Sequence, residues 1–180
     1  MKDQIKVGVI YGSTRPGRFC DTVAHWAAER IAEDAGFAVV LIDPANPGDG
    51  ALGTMRRLVD QCDAFVIVTP EYNHGYPAPL KSLIDSIGAE WYAKPVAFVS
   101  YGGISGGLRA VEQLRLVFAE LHAVTIRDSV SFAGAWEQFD PSGRLLSPDR
   151  AERSMDAMMK RLQWWAAALN NARAAAPYVK

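Results

Sequence analysis

Three short stretches hold the residues that could do chemistry. Residues 12–18, GSTRPGR, combine Gly12 and Gly17, the hydroxyls of Ser13 and Thr14, and the guanidinium groups of Arg15 and Arg18, with no acid, histidine or metal ligand. A strand-to-helix turn of this kind offers free backbone amides and a helix N-terminus to an anion, and a monophosphate held without a metal is the natural ligand. Gly12 and Gly17 have the spacing of a nucleotide-triphosphate loop, but Arg18 and Phe19 stand where lysine and Ser/Thr would reach the terminal phosphates and Mg²⁺; GxGxxG is also absent. The plain alternative is an ordinary turn carrying surface arginines. Residues 70–77, PEYNHGYP, place Tyr72 and Tyr76 around a constrained backbone, which suits a planar ligand met on its polar edge by main-chain groups; packing tyrosines are the alternative. Residues 101–107, YGGISGG, hold four glycines, allowing either a close backbone approach to a ligand or a mobile turn.

The elements around these stretches explain why they belong together. Apolar, β-branched runs at 5–11, 37–42, 64–69, 95–101 and 124–132 predict strands, and the third and fourth are almost continuously apolar, as strands covered on both faces are. Helical stripes lie between them. The first is Phe19, Val23, Trp26, Ala27 and Ile31, closed by Gly36 as a C-terminal cap. Met55, Leu58, Val59 and Cys62 form the second, and Leu80, Leu83, Ile84 and Ile87 the third, with Pro79 in its first turn. Leu108, Val111, Leu114, Val117, Phe118 and Leu121 form the fourth. The last opens with Ser147 as cap and Pro148 at the first helical position, then runs through Met155, Met158, Leu162, Trp165 and Leu169 before a frayed or neighbour-docked tail. Such alternation predicts one α/β domain over 1–180, a three-layer sandwich around a five-stranded parallel sheet. The unusual loops follow strands one, three and four. Since ligands bind beyond the strand carboxyl ends where strand order reverses, this distribution predicts the flavodoxin-like order 2-1-3-4-5.

Composition excludes several classes. A formal charge of −1 with scattered Lys and Arg gives no footprint for nucleic acid or an anionic membrane. No run approaches the ~20 apolar residues of a membrane span, and the N-terminal apolar run, interrupted by Lys6, is too short for a signal peptide. Two cysteines are too few for a disulfide framework and suit a reducing cytoplasm. His25, His74 and His122 form no metal cluster, and no paired carboxylates or Ser–His–Asp set stand out.

With these residues in view, GSTRPGR, TPEYNHGYPAPLKSLIDS and SYGGISGGLRA resemble the NADPH-dependent FMN reductase family, which includes flavin, quinone, azo-dye and chromate reductases. The likeness runs from the first strand to about Phe132, and the second motif is the most specific. It implies FMN with its phosphate on Gly12, Ser13, Thr14, Arg15, Gly17 and Arg18. Pro70, Glu71, Tyr72 and Asn73 would run along the isoalloxazine through backbone groups, and Ser100, Gly102 and Gly103 would close its other side. Many relatives continue the phosphate loop with Ser and Asn where this chain has Phe19 and Cys20. The likeness also implies a homodimer or homotetramer with FMN near the interface, for which the apolar face of residues 80–87 is the candidate contact. Its chemistry would be a ping-pong cycle in which NADPH or NADH delivers hydride to flavin N5 and electrons then pass to a small-molecule acceptor. A flavodoxin-type electron carrier is the alternative, disfavoured by the near-neutral charge; a phosphate-ligand module without redox chemistry is a third reading.

The remaining candidates are weaker. His25 and His122 lie on helical patterns, whereas His74 has the better chance of touching ring or substrate. Glu71 can be read as a general acid or as a plain loop residue, with protons coming from water. Cys20 sits where a helix N-terminus lowers a thiol pKa, although a small packing residue fits as well, and Cys62 fits the core. Trp26 and Trp165 fit buried stripes, while Trp91 and Trp136 fall outside them and could line the site or an interface.

Overall fold

The computed structural model describes residues 4–48 and 51–179; positions 1–3, positions 49–50 at the end of the second loop, and Lys180 of the tail lie outside the described residues. In chain order the elements are β1 (Ile5–Tyr11), α1 (Cys20–Ala32), β2 (Phe37–Ile42), α2 (Ala51–Asp60), β3 (Ala64–Pro70), α3 (Ala78–Asp85), β4 (Pro95–Gly102), α4 (Leu108–Glu120), β5 (Val124–Ala133) and α5 (Asp149–Ala175). Single 3₁₀ turns occupy Ala89–Trp91 and Ala135–Glu137. All strand pairs are parallel and the order is β2-β1-β3-β4-β5, so the flavodoxin-like α/β sandwich predicted above is the fold.

The residue pattern accounts for the layers. Every residue of β3 and β4 is buried, because helices cover both faces of these central strands. Val7, Val9, Val66, Val68, Ala97 and Val99 pack against α1 and α5. Their neighbours Ile10, Phe65, Ile67, Val96 and Phe98 pack against α2, α3 and α4. Edge strand β5 instead mixes buried and exposed positions. No helix among the described residues is long and apolar enough to cross a membrane.

Several local expectations are corrected. Gly36 does not cap α1: the helix ends at Ala32 with Glu33 in right-handed conformation, and Asp34 Oδ1 accepts the Gly36 N–H at 2.8 Å. In α5, Pro148 takes the cap position and Ser147 makes no cap bond; Asp149 and Glu152 in the first turn complement the helix dipole instead. Trp165 is partly exposed and Ala166 takes the buried place on that face. Trp91 is core, its indole N–H donating to Ile84 O at 3.2 Å. Leu80, Leu83, Ile84 and Ile87 are all buried within the same cluster as Trp91, so the α3 face is occupied by the chain's own core and cannot be the subunit contact. The tail docks on its own body: Asn170 Nδ2 donates to Asp63 Oδ1 at 3.0 Å, and the Tyr178 hydroxyl lies 2.7 Å from His122 Nδ1. His122 itself sits in the turn after α4 at φ 55, not on a helix. Cys62 is core as expected, and burial pushes its thiol up to about 12.

Candidate functional site

The loops leaving β1, β3 and β4 meet at one edge of the sheet because those strands are neighbours. In loop 1 (residues 12–19) the Gly12 N–H donates to Val68 O at 2.7 Å, and a Cβ on Gly12 would lie 2.6 Å from that carbonyl. Only glycine lets loop 1 lie this close to β3. Ser13 is fully buried, its Oγ 2.8 Å from the Tyr72 hydroxyl, and it also accepts the Arg15 N–H at 3.4 Å. Thr14 lines a cleft of about 450 Å³ with Pro44, Pro47 and Pro79. Gly17 turns at φ 63.

The two arginines of loop 1 have different surroundings. Arg15 is exposed, has no carboxylate partner among the described residues, and lays its guanidinium 3.6 Å above the Tyr72 ring centroid. Arg18 is turned inward. It makes two bonds to Asp43, at 2.7 and 2.6 Å, donates from Nε to Asp21 at 2.7 Å, and reaches the Ser13 carbonyl. Expected as a phosphate ligand, Arg18 is instead a clamp joining loop 1 to Asp43 just after β2, with its donors engaged by protein. Its hydrogen bonds to Asp43 raise the guanidinium pKa above its usual value. Asp43 moves the other way: burial alone would raise its pKa, but the bonds from Arg18, Asn46 and the Ala45 N–H hold it below the usual carboxylate range.

Loop 3 (residues 70–77) is a tight hairpin. Tyr72 and Gly75 exchange backbone bonds at 2.9 and 3.1 Å, with Asn73 and His74 between them at φ 50 and 69. Two successive positive φ values mark a type I′ hairpin turn; Asn tolerates that region and His pays some strain there. Gln113 Nε2 donates to His74 O at 3.0 Å and holds the turn. The Glu71 N–H donates to Tyr101 O at 3.1 Å. Its carboxylate accepts Ser105 Oγ at 2.6 Å, Arg109 Nη1 at 2.7 Å and the Arg109 N–H at 3.2 Å. Burial alone would raise its pKa, but these bonds hold it below the usual carboxylate range. Ionised and engaged at neutral pH, Glu71 has no proton to donate, and the general-acid reading falls.

Loop 4 (residues 102–107) is pinned, not mobile. Ser100 is fully buried and donates to Gly106 O at 2.8 Å, with Ser131 donating to the same oxygen at 2.9 Å. Expected beside a ring, the Ser100 hydroxyl instead braces its own loop. Gly102 packs against Gly107, whereas a Cβ on Gly103 would meet nothing within 4 Å. Loop 5 (residues 134–138) joins the edge: the Gly134 N–H donates to Gly102 O at 2.9 Å and Gly103 O at 3.0 Å, and Trp136, 57% exposed, sits edge-on to Phe19 at 6.5 Å. In the sequence only Trp136 of this loop stood out, as a residue that could line the site or an interface. Cys20 is buried and its thiol pKa is raised by that burial, so the helix N-terminus does not activate it.

The profile of the family described as NADPH-dependent FMN reductase matches residues 5–137, a span that takes in all of these loops. The chain belongs to that family. It is 36% identical over 120 residues to an NAD(P)H-dependent FMN reductase of Schizosaccharomyces pombe, spanning 57% of this chain but only 60% of that relative's length. It is 30% identical over 181 residues to an NAD(P)H:quinone oxidoreductase of Solanum tuberosum, covering 88% of this chain and 91% of the relative. In fold it matches FerB, a flavoenzyme NAD(P)H:(acceptor) oxidoreductase of Paracoccus denitrificans, with a TM-score of 0.71 at 20% identity over 91% of this chain and 98% of that one.

FMN and NAD(P)H are the cofactor and reductant of this FMN reductase family. The residues present fit FMN. Loop 1 offers a guanidinium with no carboxylate partner among the described residues, backbone amides and no acid; loop 4 offers a glycine edge open at Gly103 among the described residues; and the one carboxylate in loops 1, 3 and 4, Glu71, is engaged by Ser105 and Arg109. Of the expected ligands, Gly12, Ser13, Thr14, Arg15, Gly17, Pro70, Tyr72, Asn73, Gly102 and Gly103 gather at this edge, while Arg18, Ser100 and the Glu71 side chain brace it.

Proposed function

We propose that this protein is an FMN-dependent NAD(P)H oxidoreductase that passes electrons in two alternating half-reactions to a small acceptor: free flavin, a quinone, an azo compound or a metal oxyanion. The observation that carries the reading is Arg15, a loop-1 cation with no acid partner among the described residues, placed over Tyr72 so that loops 1 and 3 form one surface. Bound FMN supplies the redox chemistry, accepting electrons from NADPH or NADH and releasing them to the acceptor. Arg15, Ser13 and the amides around Gly12, Thr14 and Gly17 hold the phosphate; the main chain of Pro70, Glu71, Tyr72 and Asn73 runs along one side of the ring, and Gly102 and Gly103 along the other. Arg18 and Ser100 keep these loops in place. With Glu71 ionised, protons come from water. The chain works as one domain in the cytoplasm, consistent with two free, buried cysteines.

Anaerobic absorption spectra test this. Flavin bands that bleach with NADPH or NADH and return with a quinone support the enzyme; bound flavin that neither reductant bleaches would make it a carrier, and no bound flavin would remove the cofactor. Arg15→Ala should weaken FMN by about 1–3 kcal/mol through loss of a charge-assisted bond. Because Arg15 is exposed, the melting temperature of the protein without FMN should hold.

We also propose self-association as a dimer or tetramer, with Leu116, two turns into α4 and 76% exposed, as a contact residue. Light scattering should give a multiple of 19.6 kDa, and Leu116→Asp should reduce it to one chain; a monomeric parent protein would end the proposal.

A further inference from the structure

Arg109 is the second residue of α4, at the mouth of the site. Glu71, whose side chain is 7% exposed, holds it by Nη1 and by the backbone N–H, while the Arg109 side chain remains 47% exposed. A buried carboxylate that grips one edge of a half-exposed guanidinium leaves the remaining donors facing outward in a fixed orientation, which lowers the entropy lost when they meet an anion. The position is on the flank of α4 toward loop 3, since Gln113, one turn further on, bonds His74 O. Glu71 is the only acid within residues 12–19, 70–77 and 102–107, and its charge is shared among the Arg109 guanidinium, the Ser105 hydroxyl and the Arg109 backbone N–H. The other cations nearby have tasks: Arg18 is engaged by Asp43 and Asp21, Lys81 by Asp85, and Arg15 serves the FMN phosphate.

We infer that Arg109 binds the 2′-phosphate that distinguishes NADPH from NADH, and that Glu71 is its positioning residue. This rests on the reductase reading and names its preferred reductant. A phosphate at this arginine gains charge-assisted bonds that the bare ribose hydroxyl of NADH cannot match.

The test is titration of the FMN-loaded protein with NADP⁺ and with NAD⁺, read by tryptophan and flavin fluorescence at low and moderate salt. NADP⁺ should bind about tenfold more tightly than NAD⁺, an advantage that shrinks as salt rises. Arg109→Gln should remove most of that tenfold advantage while FMN absorbance is retained, and Arg109→Lys should restore part of it. Glu71→Gln should lose an intermediate share, since the guanidinium stays but its anchor weakens. Equal affinities in the parent protein, or equal losses of NADP⁺ and NAD⁺ in both Arg109 variants, would overturn the assignment. These titrations involve no electron transfer, so a failure of anaerobic bleaching would strike the reductase reading separately.

Discussion

Arg18→Ala is expected to lower stability by about 3 kcal/mol and to abolish tight FMN binding, although this arginine touches no ligand in the reading above. The magnitude follows from where the guanidinium lies. Its side chain is 7% exposed, it is doubly bonded to Asp43, and it carries a third bond to Asp21. Removing it leaves Asp43 half-buried with Asn46 and the Ala45 N–H as its partners among the described residues. Loop 1 also loses the bond to the Ser13 carbonyl that shapes the turn. For a domain of this size the loss corresponds to a melting temperature lower by roughly 6–12 °C. Acid should act in the same direction. Asp43 has a folded pKa below its unfolded value near 3.8, so its contribution is complete above that value and is lost as pH falls through the folded pKa. Arg18→Ala should therefore flatten the acid limb of the stability curve. A variant with the parent melting temperature but weakened FMN would mean that Arg18 contacts the phosphate directly. The contrast with Arg15→Ala, expected to change affinity and spare stability, separates ligand from clamp in one pair of measurements.

Why the two arginines could not be told apart in sequence is a matter of distance along the chain. Asp43, the partner of Arg18, lies 25 residues away in a loop of unremarkable composition, and nothing local to GSTRPGR announces it. Strand positions were legible to within a residue, because continuous burial of β3 and β4 leaves continuous apolar runs. The choice of loops was legible too, since unusual composition follows β1, β3 and β4 and the sheet brings these together. Periodicity announced that α3 has an apolar face but could not say what covers it, and the cover is the chain's own Phe65 and Trp91 layer. Ser100 entered the expected site through the family likeness, but its direction is set by strand pleating, which turns it under Gly106. Loop 5 was legible only through Trp136, which could line the site or an interface; what ties the loop to the site is the pair of bonds from Gly134 to Gly102 and Gly103, which no local signal announces.

The glycines of loop 4 give the second large effect. Gly107→Ala should destabilise the protein by about 3 kcal/mol or more, since it combines a left-handed residue with overlap against backbone. Gly107 sits at φ 84, and a Cβ there would lie 2.8 Å from the Tyr101 nitrogen, 2.9 Å from its oxygen and 2.8 Å from Ser100 Cβ. The main-chain atoms belong to β4, buried on both faces, and cannot retreat. Gly103→Ala is the matched opposite. Nothing lies within 4 Å of its added methyl, and its φ is not positive, so the fold should tolerate it within about 0.5 kcal/mol. If the Gly103 edge is where the flavin ring rests, that same methyl should weaken FMN by about tenfold, the effect of a small overlap in a shaped site. Urea unfolding without FMN and FMN titration, carried out on both variants, give four numbers. Loss of stability at position 107 together with loss of affinity alone at position 103 would place the ring against Gly103. Unchanged affinity in Gly103→Ala would move the ring away from this loop, and would leave Tyr72 and Asn73 as its principal support.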